Sequence, residues 1–223
     1  MTNSQKIKRL VGLATLTALV VGLQFLSNYV SFGSVSITLA LIPIAVGAVL
    51  YGPLAGLFLG AVMGGIVIAA PSTIAVFMPI NLPMTIVLCL VKTGLAGLVS
   101  GLLFKLFANI AKKQTETSKK KALFATGIIV AALVVPAINT GIFIVGATIF
   151  FSEPFGGTFV GIINAVLTTN FLIEFLVSAI LSPALVTLVQ VLTRQNDLGF
   201  QKEFQNFIFD DEDLDIETAS VNA

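Results

Sequence analysis

With 57% of its 223 residues hydrophobic, 10% charged and a net charge of +1, the chain has too little polar surface for a water-soluble domain, in which roughly a quarter of residues are charged. A mean hydropathy of +1.03 places it among integral membrane proteins, and the near-neutral charge excludes nucleic acid as a partner. The absence of histidine removes the usual zinc sites and His-dependent catalysis, and the single Cys89 sits in an apolar run and can form no internal disulfide. Nothing in the sequence calls for a cofactor.

No Asp, Glu, Lys or Arg lies between Arg9 and Lys92, and only Glu153 and Glu174 lie between Ala122 and Thr193. Runs of that length must be cut into spans of about 17–25 residues, and the cuts fall at Gly/Pro/Ser/Asn clusters. The pattern predicts an all-α membrane domain over 1–195 with six helices near 9–27, 35–50, 53–70, 81–110, 122–150 and 160–192, the last three longer than a bilayer needs.

The first helix follows Lys6, Lys8 and Arg9, a start that also resembles a secretory signal. Its apolar run fits the six-span pattern, however, and no small-residue cleavage site follows. It carries Ala14-x-x-x-Ala18, a small-residue face. The second contains Pro43, and the third opens at Pro53, where the first turn needs no donated hydrogen bond. Gly52, Gly56, Gly60 and Gly64 recur every four residues, and Gly97 and Gly101 repeat the spacing on the fourth helix. Such faces let another backbone approach closely, and internal helix packing is their expected use. Pro43, Pro136 and Pro183 lie inside spans and should kink or interrupt them. The segment 196–223 contains the acidic run Asp210–Glu217 and reads as a disordered, solvated cytoplasmic tail.

Eleven of the twelve basic residues fall at the N-terminus, in Lys105–Lys121 and after the sixth helix. Six spans put those three places on one side, which the positive-inside rule makes the cytoplasm, with both termini. The opposite loops, Ser27–Ser34, Pro71–Ile80 and Phe151–Phe159, carry one charge, Glu153. The expected location is therefore the cell membrane, with multiple passes.

Lys92 and Glu174 are the only ionisable residues deep in predicted spans. Each costs about 2.5–3.5 kcal/mol at mid-bilayer on insertion scales and needs a partner or a wet cavity. At about 1.5 Å per residue, Lys92 lies roughly 16 Å below Asn81 and Glu174 roughly 21 Å below Val160. Asn139 with Thr140 on the fifth helix, and Asn170 one turn before Glu174, lie at a similar level. Two readings are open and can coexist: a buried Lys92–Glu174 ion pair with amides serving neighbouring backbone, or a polar solute site between three helices. Asn81 opens the fourth helix, where it either caps the helix or lines the mouth of such a site.

The layout resembles the substrate-binding S component of energy-coupling factor (ECF) vitamin transporters over about residues 8–192. The resemblance rests on the six spans, on Ala14 and Ala18, and on Leu41–Gly60, LIPIAVGAVLYGPLAGLFLG. Pro136–Phe143 (PAINTGIF) and Asn170–Phe175 (NFLIEF) resemble the pantothenate-type branch. The resemblance implies a vitamin site open to the outside, a scaffold membrane subunit docked on Ala14 and Ala18, two ATP-binding subunits that supply energy, and inward delivery by toppling of the whole S component. In keeping with this, the chain has no G-x-x-x-x-G-K-[ST] loop.

Pantothenate also fits the side-chain inventory. There is no Trp and only two Tyr, Tyr29 and Tyr51, to stack on a flat ring, although eighteen Phe could substitute. Lys92 suits a carboxylate, Asn139 and Asn170 an amide and hydroxyls, and Glu174 a hydroxyl donor. The alternatives are an S component for riboflavin, folate or thiamine, or a stand-alone carrier using Lys92 and Glu174 as an ion-coupled pair. An intramembrane enzyme lacks an evident nucleophile–base pair.

Overall fold

A computed structural model describes residues 3–29, 31, 32, 35, 36, 38–151 and 156–195. The acidic tail and Glu153 lie outside the described residues. The helices are α1 (Asn3–Tyr29), α2 (Leu41–Tyr51), α3 (Pro53–Ile68), α4 (Leu82–Lys112), α5 (Thr117–Phe151) and α6 (Gly156–Gln195). The protein is all-α and membrane-spanning; among the described residues the one exception is a four-residue antiparallel ribbon, β1 (Ser31–Phe32) with β2 (Val35–Ser36), paired Ser31 to Ser36 and Phe32 to Val35.

Among the described residues, four helices are long and apolar enough to cross a membrane: α1 over Lys6–Ser27, α4, α5 and the Thr169–Val189 part of α6. The predicted second span, 35–50, is shorter than expected, because its first residues enter the ribbon and a turn. At 11 residues, α2 is about 16 Å long, and α3 at 16 residues is about 24 Å, against a hydrocarbon core of about 30 Å. The shortness of α2 has a compensation in its sequence. LIPIAVGAVLY has no polar face, and every residue but Ile42 is buried, as a helix that is hydrophobic all round should be. Ile44, Val46, Val49 and Leu50 of α2 form the centre of the core, with Leu59 and Met63 from α3, Phe104 from α4, Ile128 and Val135 from α5, and Leu185 and Val189 from α6.

α2 and α3 are joined by Gly52 alone, at φ +92°, a left-handed conformation that strains any residue with a Cβ. The Arg9 guanidinium on α1 donates to the carbonyl of Tyr51 at 2.7 Å, fastening α1 to this bend. The prolines interrupt less than expected. Pro43 is the third residue of α2, inside the first turn, and α5 and α6 run on as helix through Pro136 and Pro183. The predicted loop Pro71–Ile80 contains a single π-helical turn, Thr73–Phe77, closed by the Met78 N–H donating to the Thr73 carbonyl at 3.1 Å.

The glycine spacing does what its period implies. A Cβ at Gly56 would meet the Gly97 carbonyl, one at Gly60 the Thr93 carbonyl, and one at Gly64 the Cys89 carbonyl. Each step of four along α3 is answered by a step of four back along α4, so the two backbones touch for several turns. Gly60→Ala therefore forces them apart and should destabilise the protein by about 1–3 kcal/mol, the usual cost of overpacking. At Gly65, where no atom lies within 4 Å of the added Cβ, Ala should be neutral or stabilising by up to about 1 kcal/mol through helix propensity. Thermal midpoints by size-exclusion chromatography in detergent check the pair; equal midpoints would contradict the packing.

Candidate functional site

Three helices and the turn before α2 position the buried polar residues. Lys92 is 8% exposed on α4 and Glu174 is 6% exposed on α6. They face each other closely enough to interact electrostatically, but the contemplated direct ion pair does not form. Each group has another neighbour. The Lys92 ammonium lies 4.0 Å from the centroid of the Phe143 ring on α5, a cation–π contact worth about 2 kcal/mol or more when desolvated. The Glu174 carboxylate lies within hydrogen-bonding reach of the hydroxyl and backbone N–H of Thr38. Thr38 stands three residues before α2, so α2 begins close to Glu174, and the residues before it are spent on the ribbon and turn.

Asn139 is buried one helical turn before Phe143, on the same face of α5, with Thr140 buried next to it. Asn170 is half-buried one turn before Glu174 on α6. The Oδ1 atoms of Asn139 and Asn170 are both buried and accept no hydrogen bond among the described residues. An unmet buried acceptor typically costs about 1–3 kcal/mol, and a pair of them on facing helices asks for a donor from outside the chain.

Asn81 serves as a cap: its side chain accepts from the Met84 N–H at 3.2 Å, and its carbonyl accepts from the Thr85 hydroxyl at 2.8 Å. Sequence reasoning missed Thr38, hidden in a stretch read as helix, and the aromatic wall around Lys92. Phe77, from the π-helical turn, packs edge-on against Phe143 and Phe151, each at a centroid distance of 5.4 Å. A Phe in a predicted loop carries no signal of its own; the π turn supplies the reach, and such turns recur at functional sites.

On the far side of the bundle, α1 is attached by a narrow seam of Val20, Gln24 and Ser27, backed by Leu13, Leu16 and Leu23. Its opposite face is open: Ala14 and Ala18 are exposed, and Leu10 beside them is 70% exposed. The small-residue motif therefore plays no part in internal packing.

The family described as "ECF transporter, substrate-specific component" matches residues 8–187. The chain belongs to that family. Among curated proteins, none is significantly similar to it. S components of ECF transporters are non-catalytic, substrate-binding subunits of the cell membrane that work with an ECF scaffold and ATPases. The protein is accordingly a multi-pass transport protein and not an enzyme.

Proposed function

We propose that this S component binds pantothenate from the outside and delivers it inward with a scaffold subunit and two ATP-binding subunits. The observation that carries the reading is a set of buried groups incompletely met among the described residues: a lysine with no carboxylate at ion-pair distance, and two amide oxygens with no donor. Pantothenate supplies the complement, with a carboxylate for Lys92, and an amide N–H and hydroxyls for Asn139 and Asn170. Thr140, next to Asn139, offers a further hydroxyl, and Glu174 keeps acceptor capacity beyond its Thr38 contacts. Asn81 orders the start of α4 above the site. Flat vitamins such as riboflavin, folate or thiamine make less use of this set, although Phe77, Phe143 and Phe151 offer them ring faces.

In this reading six helices cross or enter the membrane, with both termini and the Lys105–Lys121 region in the cytoplasm. Ala14 and Ala18 meet the scaffold, and the inward step is a toppling of the S component within the bilayer, as the family resemblance implies. The closely packed α3–α4 pair supports this, since a body that tilts as a unit needs rigid internal contacts.

Calorimetric titration of the purified protein with pantothenate, with riboflavin and folate as controls, tests the substrate. Saturable binding of pantothenate alone is expected. Binding of a control vitamin instead would keep the transport role and overturn the site chemistry. A stand-alone carrier would take up solute in liposomes containing only this chain; no such uptake is expected.

A further inference from the structure

At the basic end of the bundle, where the α2–α3 bend meets the last turns of α4, lies a notch of about 230 Å³. Its rim carries Lys105, Asn109 and Lys112, which succeed one another at steps of four and three along one face of α4. Its floor is apolar, with Val49, Phe104 and Ala108 among the lining residues. All three rim residues are exposed, and Lys105 makes no ion pair or hydrogen bond among the described residues. None of these residues belongs to the vitamin site, which lies further along α4, around Lys92.

We infer that this notch binds the headgroup of an anionic phospholipid, with the phosphodiester on Lys105 and Lys112 and the headgroup hydroxyls on Asn109. Basic pockets between helices at the cytoplasmic boundary are suited to such headgroups, each Lys contributing about a fivefold gain in binding. The surroundings favour a lipid over a soluble anion. Leu102, Leu106 and Ile110 are 50%, 53% and 40% exposed and stand beside the rim residues on α4, so an apolar stripe leads directly to the lysines. Acyl chains lie along that stripe while the phosphate enters the notch. The volume fits this division, since it falls below the roughly 300–1,000 Å³ of pockets that enclose a whole small molecule. The cytoplasmic placement rests on the orientation proposed above, but binding itself depends only on the notch.

Native mass spectrometry of the full-length protein in detergent, with equal concentrations of phosphatidylglycerol and phosphatidylcholine of matched chains, reads the preference directly. The expected result is at least fivefold more bound phosphatidylglycerol, reduced about fivefold in Lys105→Ala and unchanged in Lys8→Ala, a basic residue elsewhere on the same side. Ala108→Leu, which fills the notch from its floor and leaves both lysines, should lose the preference too. Equal retention of the two lipids would overturn the site. An equal effect of Lys8→Ala would reduce it to diffuse attraction and overturn it as well. Displacement of the lipid by millimolar inorganic phosphate would identify a soluble anion as the ligand and overturn the lipid assignment. Because the vitamin titration is a separate measurement, either inference can fail without the other.

Discussion

Lys92→Ala should weaken pantothenate binding by about tenfold or more while the protein still inserts and purifies. The magnitude follows from losing a hydrogen bond to a charged group, about 1.5–3 kcal/mol, with about 1.4 kcal/mol corresponding to a factor of ten. The structure adds a reason to expect clean folding. The Lys92 ammonium is held by the Phe143 ring and not by a carboxylate, so its removal leaves no buried counter-charge stranded at bonding distance. Glu174 keeps its contacts with Thr38. Lys92→Met, which retains an unbranched stem of similar length against Phe143, separates packing from charge: it should bind as poorly as the alanine variant but melt closer to the wild type. Undiminished affinity in both variants would remove the carboxylate role from Lys92.

Ala14→Trp should abolish association with the scaffold subunit and leave vitamin affinity unchanged. Small residues at interfaces within the membrane allow backbones to approach closely, and a Trp at the centre of such a face holds the partner off. Ala14 and Ala18 are exposed, and α1 touches the bundle through its other side, so the bulk projects away from the protein's own core. The split between the two readouts is the informative part. Loss of both would indicate a damaged fold, and a normal pull-down of the scaffold would place its docking surface elsewhere. Leu19→Trp, at a residue 48% exposed on the same helix, reports how far the face extends.

The all-α, membrane-spanning character and the approximate places of the helices among the described residues were legible in the sequence because two signals coincide, long charge-free runs and breaks at Gly, Pro and Asn. Their lengths were less so. A run such as Val35–Leu50 is uncharged and mostly apolar, and hydropathy does not distinguish a ribbon and turn from the helix that follows; the contact of Thr38 with Glu174 does. The glycine register was fully readable, since spacing by four is a statement about a helix face whatever packs on it. Lys92 and Glu174 stood out by the cost of their burial, but their relation depended on helix rotation. Of the two open readings, the direct ion pair is not formed; the ammonium lies on Phe143 and the carboxylate at Thr38. Phe143 and Phe77 were hidden for a simpler reason: among eighteen Phe, none is marked by type alone.

The enclosure of α2 bears on how the protein is made. A stretch of 11 residues is short for independent insertion, which favours segments of about 20, and α2 and α3 turn back on each other at Gly52, so they should enter the bilayer together as a hairpin. Yet the residues that finally surround α2 include Ile128 and Val135 of α5 and Leu185 and Val189 of α6, which leave the ribosome long after it. The central helix therefore spends much of synthesis facing lipid or insertion machinery and reaches its permanent neighbours last. Chains truncated before α6 should insert but stay loosely assembled and prone to degradation, because α6 closes the centre of the fold after the other helices packed around α2 have been made.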